Sequence, residues 1–68
     1  MQLSTRNQLH GTVTSVVRGT VMAEVVVDIG GQEIVAAITA GSASSLGLQP
    51  GMPVVALIKA TEVMIGRE

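Results

Sequence analysis

The sequence predicts an all-β domain, a small barrel of five short strands with one short helical turn. Three observations predict it. β-branched residues recur with period two between positions 12 and 29, a Gly-Gly pair joins two strand-like runs, and turn residues return every eight to twelve positions, the interval expected of small closed sheets. Closure also removes the exposed edges that so many Val-rich strands would otherwise offer for aggregation.

The elements follow in order. "TVTSVV" (12–17) and "TVMAEVVVDI" (20–29) read as strands. In the second, Val21, Ala23, Val25, Val27 and Ile29 share one parity and form its core face, while Thr20, Met22, Glu24, Val26 and Asp28 make a mixed face of the kind that meets another subunit. Gly30-Gly31 supplies two residues able to take positive φ, a two-residue hairpin signal, and "QEIVAAIT" (32–39) is the return strand. In "AGSASSLGLQPGM" (40–52), Ser42 is the candidate N-cap of a helical turn running to about Leu46, Gly47 ends it, and Pro50-Gly51 forms a turn. "PVVALIKATEVMI" (53–65) reads as one or two strands, with "KAT" as the break between them. No repeat, linker or low-complexity segment interrupts residues 1–68, which form a single domain.

Composition bears on assembly. A chain of 68 residues buries a thin core. Cys, Phe, Tyr and Trp are absent and His10 is the only histidine, so neither disulfides, a zinc site nor large aromatic areas reinforce it. Yet 47% of the residues are hydrophobic, more than a monomer of this size hides easily. The expectation is a homo-oligomer whose second faces bury one another.

Charge excludes other classes. A net charge of −1 with 13% charged residues generates no field to attract DNA or RNA. No stretch approaches the ~20 apolar residues that span a bilayer, and the N-terminus lacks the basic-then-apolar pattern of a signal peptide, so no membrane association is expected and the expected location is cytoplasmic. His10 reads as a surface or interface residue. Glu24, Asp28, Glu33, Glu62 and Glu68 are scattered, with no acid and base pair among them. An enzyme is not expected.

Anion binding suits the residues present. A small dianion needs a few positive charges and several converging neutral donors. Three segments offer them: Ser4, Thr5, Arg6 and Asn7; then Thr39 and Ser42 beside a helix start; then Lys59, the only lysine, followed by Thr61. Each has an ordinary explanation as well, respectively a polar arm, a helix cap and a strand end reaching water.

Taken together, "STRNQLHGTV", "ITAGSASSLGLQPG" and "ALIKATEV", at these separations, resemble the molybdate-binding Mop family, whose opening motif is S-x-R-N-x-L-x-G. The resemblance covers nearly the whole chain and points to the molbindins, free-standing single-domain members. It implies a five-stranded barrel of the OB type, a homohexamer built as a trimer of dimers, and bound molybdate or tungstate without an organic cofactor. It also implies sites between subunits, with Ser4 and Arg6 on one side and Thr39, Ser42, Lys59 and the Ala60 backbone on the other. Asn7 lies in the motif with a structural part to play, and Thr61 is a further candidate. Intracellular storage or buffering of molybdate is the function implied. Two alternatives stand beside it: a self-assembly module without an anion, and an OB-type nucleic-acid binder, the latter lacking the aromatic platforms and basic groove that single strands require.

Overall fold

The computed structural model describes all of residues 1–68. Four strands, β1 (Asn7–Arg18), β2 (Met22–Ile29), β3 (Gln32–Thr39) and β4 (Pro53–Ile58), join one helix, α1 (Ala40–Ser45), and a single 3₁₀ turn over Ala60–Glu62. The strands pair antiparallel in one sheet of order β3-β2-β1-β4. The mostly-β architecture agrees with the sequence reading, but the strand count does not. Lys59-Ala60-Thr61 does break the last stretch, yet residues 63–68 beyond it form no strand.

β1 begins at Asn7, not at Thr12. Asn7, Gln8, His10 and Gly11 have little strand preference of their own. They extend because β4 supplies a partner ladder, from Asn7 opposite Ile58 to Thr12 opposite Pro53. The second half of β1 pairs with β2, and the register slips at Thr14, between Val13 opposite Val27 and Ser15 opposite Val26. This bulge bends the strand, and the Thr14 hydroxyl donates to the Val26 carbonyl oxygen at 3.2 Å. Gly11 lies in β1 against the end of β2. A Cβ there would fall 2.9 Å from Val27 Cγ1 and closer still to Ile29 Cδ1 and the Asp28 carbonyl oxygen.

The β2–β3 hairpin forms as its glycines dictate, with Gly30 at φ +59°, Gly31 at φ +93° and Ile29 opposite Gln32. The helix differs in detail, since its N-cap is Thr39, whose hydroxyl accepts from the Ser42 amide at 3.0 Å, so Ser42 lies inside the first turn. Thr39 ends β3 in extended backbone, the conformation an N-cap needs. At the other end Gly47 turns left-handed, its amide donates to Ser44 and the Leu48 amide donates to Ala43, the paired bonds of a Schellman motif. That motif drives Leu48 into the core, where it joins Val13, Ala23, Val25, Val27 and Ala43. Ala23, Val25 and Val27 come from the parity expected to face inward.

Six of 68 residues are buried. Between the two edge strands runs an open trough of about 570 Å³ lined only by apolar side chains, including Ile34, Ala36 and Ile38 of β3 and Val54, Ala56 and Ile58 of β4. No helix is long and apolar enough to cross a membrane.

Candidate functional site

A second, polar pocket of about 220 Å³ opens at one end of the β1–β4 ladder, lined by Ser4, Thr5, Arg6, Lys59, Ala60 and Thr61. Its construction is local to one register pair. Asn7 and Ile58 face each other as the last pair of the ladder, and the Asn7 side-chain amide donates to the Ile58 carbonyl oxygen at 3.1 Å. From that clasp residues 4–6 leave on one side and residues 59–61 on the other. Gln8 steadies the first segment by donating to the Thr5 carbonyl oxygen at 2.8 Å. The second is tightened by the bond from the Glu62 amide to the Lys59 carbonyl oxygen at 2.9 Å.

The chemistry of the lining is one-sided. Arg6 and Lys59 bring two positive charges, Ser4, Thr5 and Thr61 bring hydroxyls, and no carboxylate is among the lining residues. The amides of Ala60 and Thr61 open the 3₁₀ turn, so they find no partner within it. Such a set offers donors to an anion and no acidic acceptor. No group of three or more His, Cys, Asp and Glu side chains converges as a metal site.

The sequence-derived candidates divide into two places. Ser4, Arg6, Lys59, Ala60 and Thr61 line the pocket, and Asn7 ties its base. Thr39 and Ser42 do not line it. They are exposed and hydrogen-bonded to each other, Oγ1 to Oγ at 2.7 Å, and Thr39 pairs with Met22 beside the far end of β1. The expected split, with Ser4 and Arg6 on one subunit and Lys59 on another, differs from this arrangement. The Asn7–Ile58 pair brings both segments to one pocket within a single chain. Thr5 also lines the pocket, at the position the S-x-R-N motif leaves unspecified, within the polar cluster Ser4–Asn7.

The TOBE domain family matches residues 3–65. Molybdenum-pterin-binding protein 3 of Clostridium pasteurianum is 46% identical over 66 residues, spanning 96% of this chain and 97% of its own. The chain belongs to the TOBE family, among its molybdenum-pterin-binding (Mop) proteins. Solved structures agree with that membership. A molybdate-binding protein from Sporomusa ovata superposes on this TOBE domain with a TM-score of 0.93 at 51% identity, over 98% of this chain and all (100%) of that one. The cytoplasmic molybdate-binding protein ModG, solved with molybdate bound, matches at a TM-score of 0.84 and 44% identity, over 88% of this chain and 43% of its own.

Proposed function

We propose that this TOBE domain binds molybdate, and tungstate as a close match in size and charge, in the pocket formed by Ser4, Thr5, Arg6, Lys59, Ala60 and Thr61. The observation that carries the reading is the convergence of Arg6 and Lys59 on one pocket whose lining has no carboxylate. Charge-assisted hydrogen bonds from these two side chains are the strong contacts, and hydroxyls and amides fill the remaining lone pairs of a tetrahedral oxyanion. The names of the relatives, which refer to molybdenum-pterin and molybdate, support the choice of anion.

The same chemistry accounts for selectivity. Molybdate, tungstate and sulfate are unprotonated dianions at neutral pH, whereas hydrogen phosphate carries an O–H that needs an acceptor. An O–H left unpaired costs about 1–3 kcal/mol, so phosphate binds roughly one to two orders of magnitude more weakly. Sulfate differs mainly in size.

The assembly is a homo-oligomer, a hexamer arranged as a trimer of dimers, in which Thr39 and Ser42 of a neighbouring copy approach the pocket and complete the donor shell. Their exposure and their distance along the sheet from their own chain's pocket support completion by another copy. The biological role is intracellular storage or buffering of the oxyanion, with no catalytic step.

Calorimetric titration of anion-free protein with molybdate tests the reading, repeated in excess sulfate, in excess phosphate and with Arg6→Ala. Binding that persists in both competitors and is lost in the variant supports it. No heat from an intact oligomer overturns the anion and leaves a self-assembly module.

A further inference from the structure

The residues that line the polar pocket are not equally placed. Ser4, Arg6, Lys59, Ala60 and Thr61 are exposed, whereas Thr5 is half-buried. Its backbone is held from nearby. Gln8 Nε2 donates to the Thr5 carbonyl oxygen at 2.8 Å, and two residues along from Thr5, Asn7 is clasped to Ile58 at 3.1 Å. The Thr5 side chain is β-branched, which leaves χ1 few choices, so its hydroxyl is oriented at small entropic cost. Thr14 and Thr39 commit their hydroxyls to partners within the chain, while the Thr5 hydroxyl enters no such bond and is available to a ligand. Across from it, in the segment 59–61, Ala60 brings a backbone amide but no hydroxyl.

We propose that Thr5, with Gln8 as its positioning residue, sets the size of oxyanion that the pocket accepts. The inference rests on the proposed anion site and names the residue that separates molybdate from sulfate within it. Both are tetrahedral dianions with four acceptor oxygens, and molybdate has the longer bonds from centre to oxygen. Arg6 and Lys59 are exposed and carry long flexible stems, so their charges follow an anion of either size. Thr5 cannot follow, because its side chain is short and its carbonyl is tied to Gln8. An oxygen of the larger anion, seated on the amides of Ala60 and Thr61, reaches the Thr5 hydroxyl on the other side of the pocket. Sulfate seated in the same way falls short and leaves that bond unmade. A hydrogen bond made to one ligand and missed by the other discriminates more sharply than apolar fit does.

Calorimetry on anion-free parent, Thr5→Val, Thr5→Ser and Gln8→Met proteins gives the molybdate constant directly and the sulfate constant by competition. Residue 5 lies outside the strands and the helix, so the urea midpoint of the Thr5 variants reports that the fold is intact. Thr5→Val keeps the shape and deletes the hydroxyl, and it is expected to weaken molybdate roughly tenfold while changing sulfate by less than about twofold. Thr5→Ser restores the hydroxyl and regains most of the lost ratio between the two anions. Gln8→Met frees the wall to move, so the ratio falls several-fold, whereas a purely structural role for Gln8 weakens both anions alike and leaves the ratio unchanged. The proposal is overturned if Thr5→Val weakens both anions equally, or neither, or if the ratio survives Gln8→Met. Parent protein that binds molybdate and loses it in Arg6→Ala, yet keeps its ratio in Thr5→Val, sinks the role of Thr5 and spares the anion site. Parent protein that binds no molybdate sinks both.

Discussion

The Asn7 side-chain amide and the Ile58 carbonyl oxygen, 3.1 Å apart, close the β1–β4 ladder at the point where the two halves of the polar pocket diverge. Asn7 therefore acts on the pocket without lining it. Replacing Asn7 with Ala removes one hydrogen bond, about 1 kcal/mol, and loosens both segments. Molybdate affinity is expected to fall several-fold in calorimetry while the denaturation midpoint of the anion-free protein drops only slightly.

Lys59→Met and Arg6→Ala separate binding from stability. Each deletes a charged donor, and hydrogen bonds to charged groups contribute about 1.5–3 kcal/mol, so affinity falls roughly ten- to a hundredfold per variant. Without the anion, removing one of two neighbouring cations relieves repulsion. Urea titration without molybdate is expected to show unchanged or slightly raised stability, and the stabilisation that molybdate confers on the parent protein is lost in both variants.

Thr39 has a capping role inside its own chain and, in the proposed assembly, a ligand role toward another. Thr39→Val removes the cap and costs about 1 kcal/mol as well as weakening binding. Thr39→Asp keeps a capping acceptor but sets a negative charge where the anion is to be completed. Its expected signature is near-parental stability with molybdate binding abolished, read by pairing thermal unfolding with titration.

Three glycines respond with different signs. Gly11→Ala puts a methyl against the Asp28 carbonyl and the Val27 and Ile29 side chains, so destabilisation at or above the usual overpacking range of about 1–3 kcal/mol is expected. Gly47→Ala must adopt φ +63° and is expected to cost about 1 kcal/mol. Gly41, inside α1 with open space around it, gains about 0.5–1 kcal/mol when changed to Ala, because the unfolded chain loses freedom and the helix interior prefers Ala. Chemical denaturation of the three variants checks all three signs.

Local chemistry made much of this fold legible in advance. Gly30-Gly31 alone determines the hairpin, and the parity of Ala23, Val25 and Val27 finds half of the buried core. The amino-terminal half of β1 was not legible, because Asn7, Gln8, His10 and Gly11 extend only under the influence of a partner strand up to 51 residues away, at the Asn7–Ile58 pair. Nor was the end of the chain. "EVMI" has strand composition, but composition does not say whether a pairing edge lies within reach. The motif and the donors that suit an oxyanion point to the candidate pocket residues, but their distribution depends on the Asn7–Ile58 register, which the motif does not carry. Ser42 fits a helix cap by residue type alone, whereas Thr39, one residue before the helix, holds the right backbone angles.

β1 serves two ladders, and they differ in how far apart in the chain their partners lie. The β2–β3 hairpin and its union with the second half of β1 join neighbours. The β1–β4 ladder must bring together residues up to 51 positions apart, and closing a loop of that length slows folding more than it weakens the finished state. The polar pocket sits on that long-range contact. A chain whose hairpin has formed but whose ends have not met lacks the pocket, so under the proposed function the oxyanion recognises only the completed molecule. Molybdate is then expected to leave the refolding rate nearly untouched and to slow unfolding, making the bound anion a kinetic lock on that long-range contact.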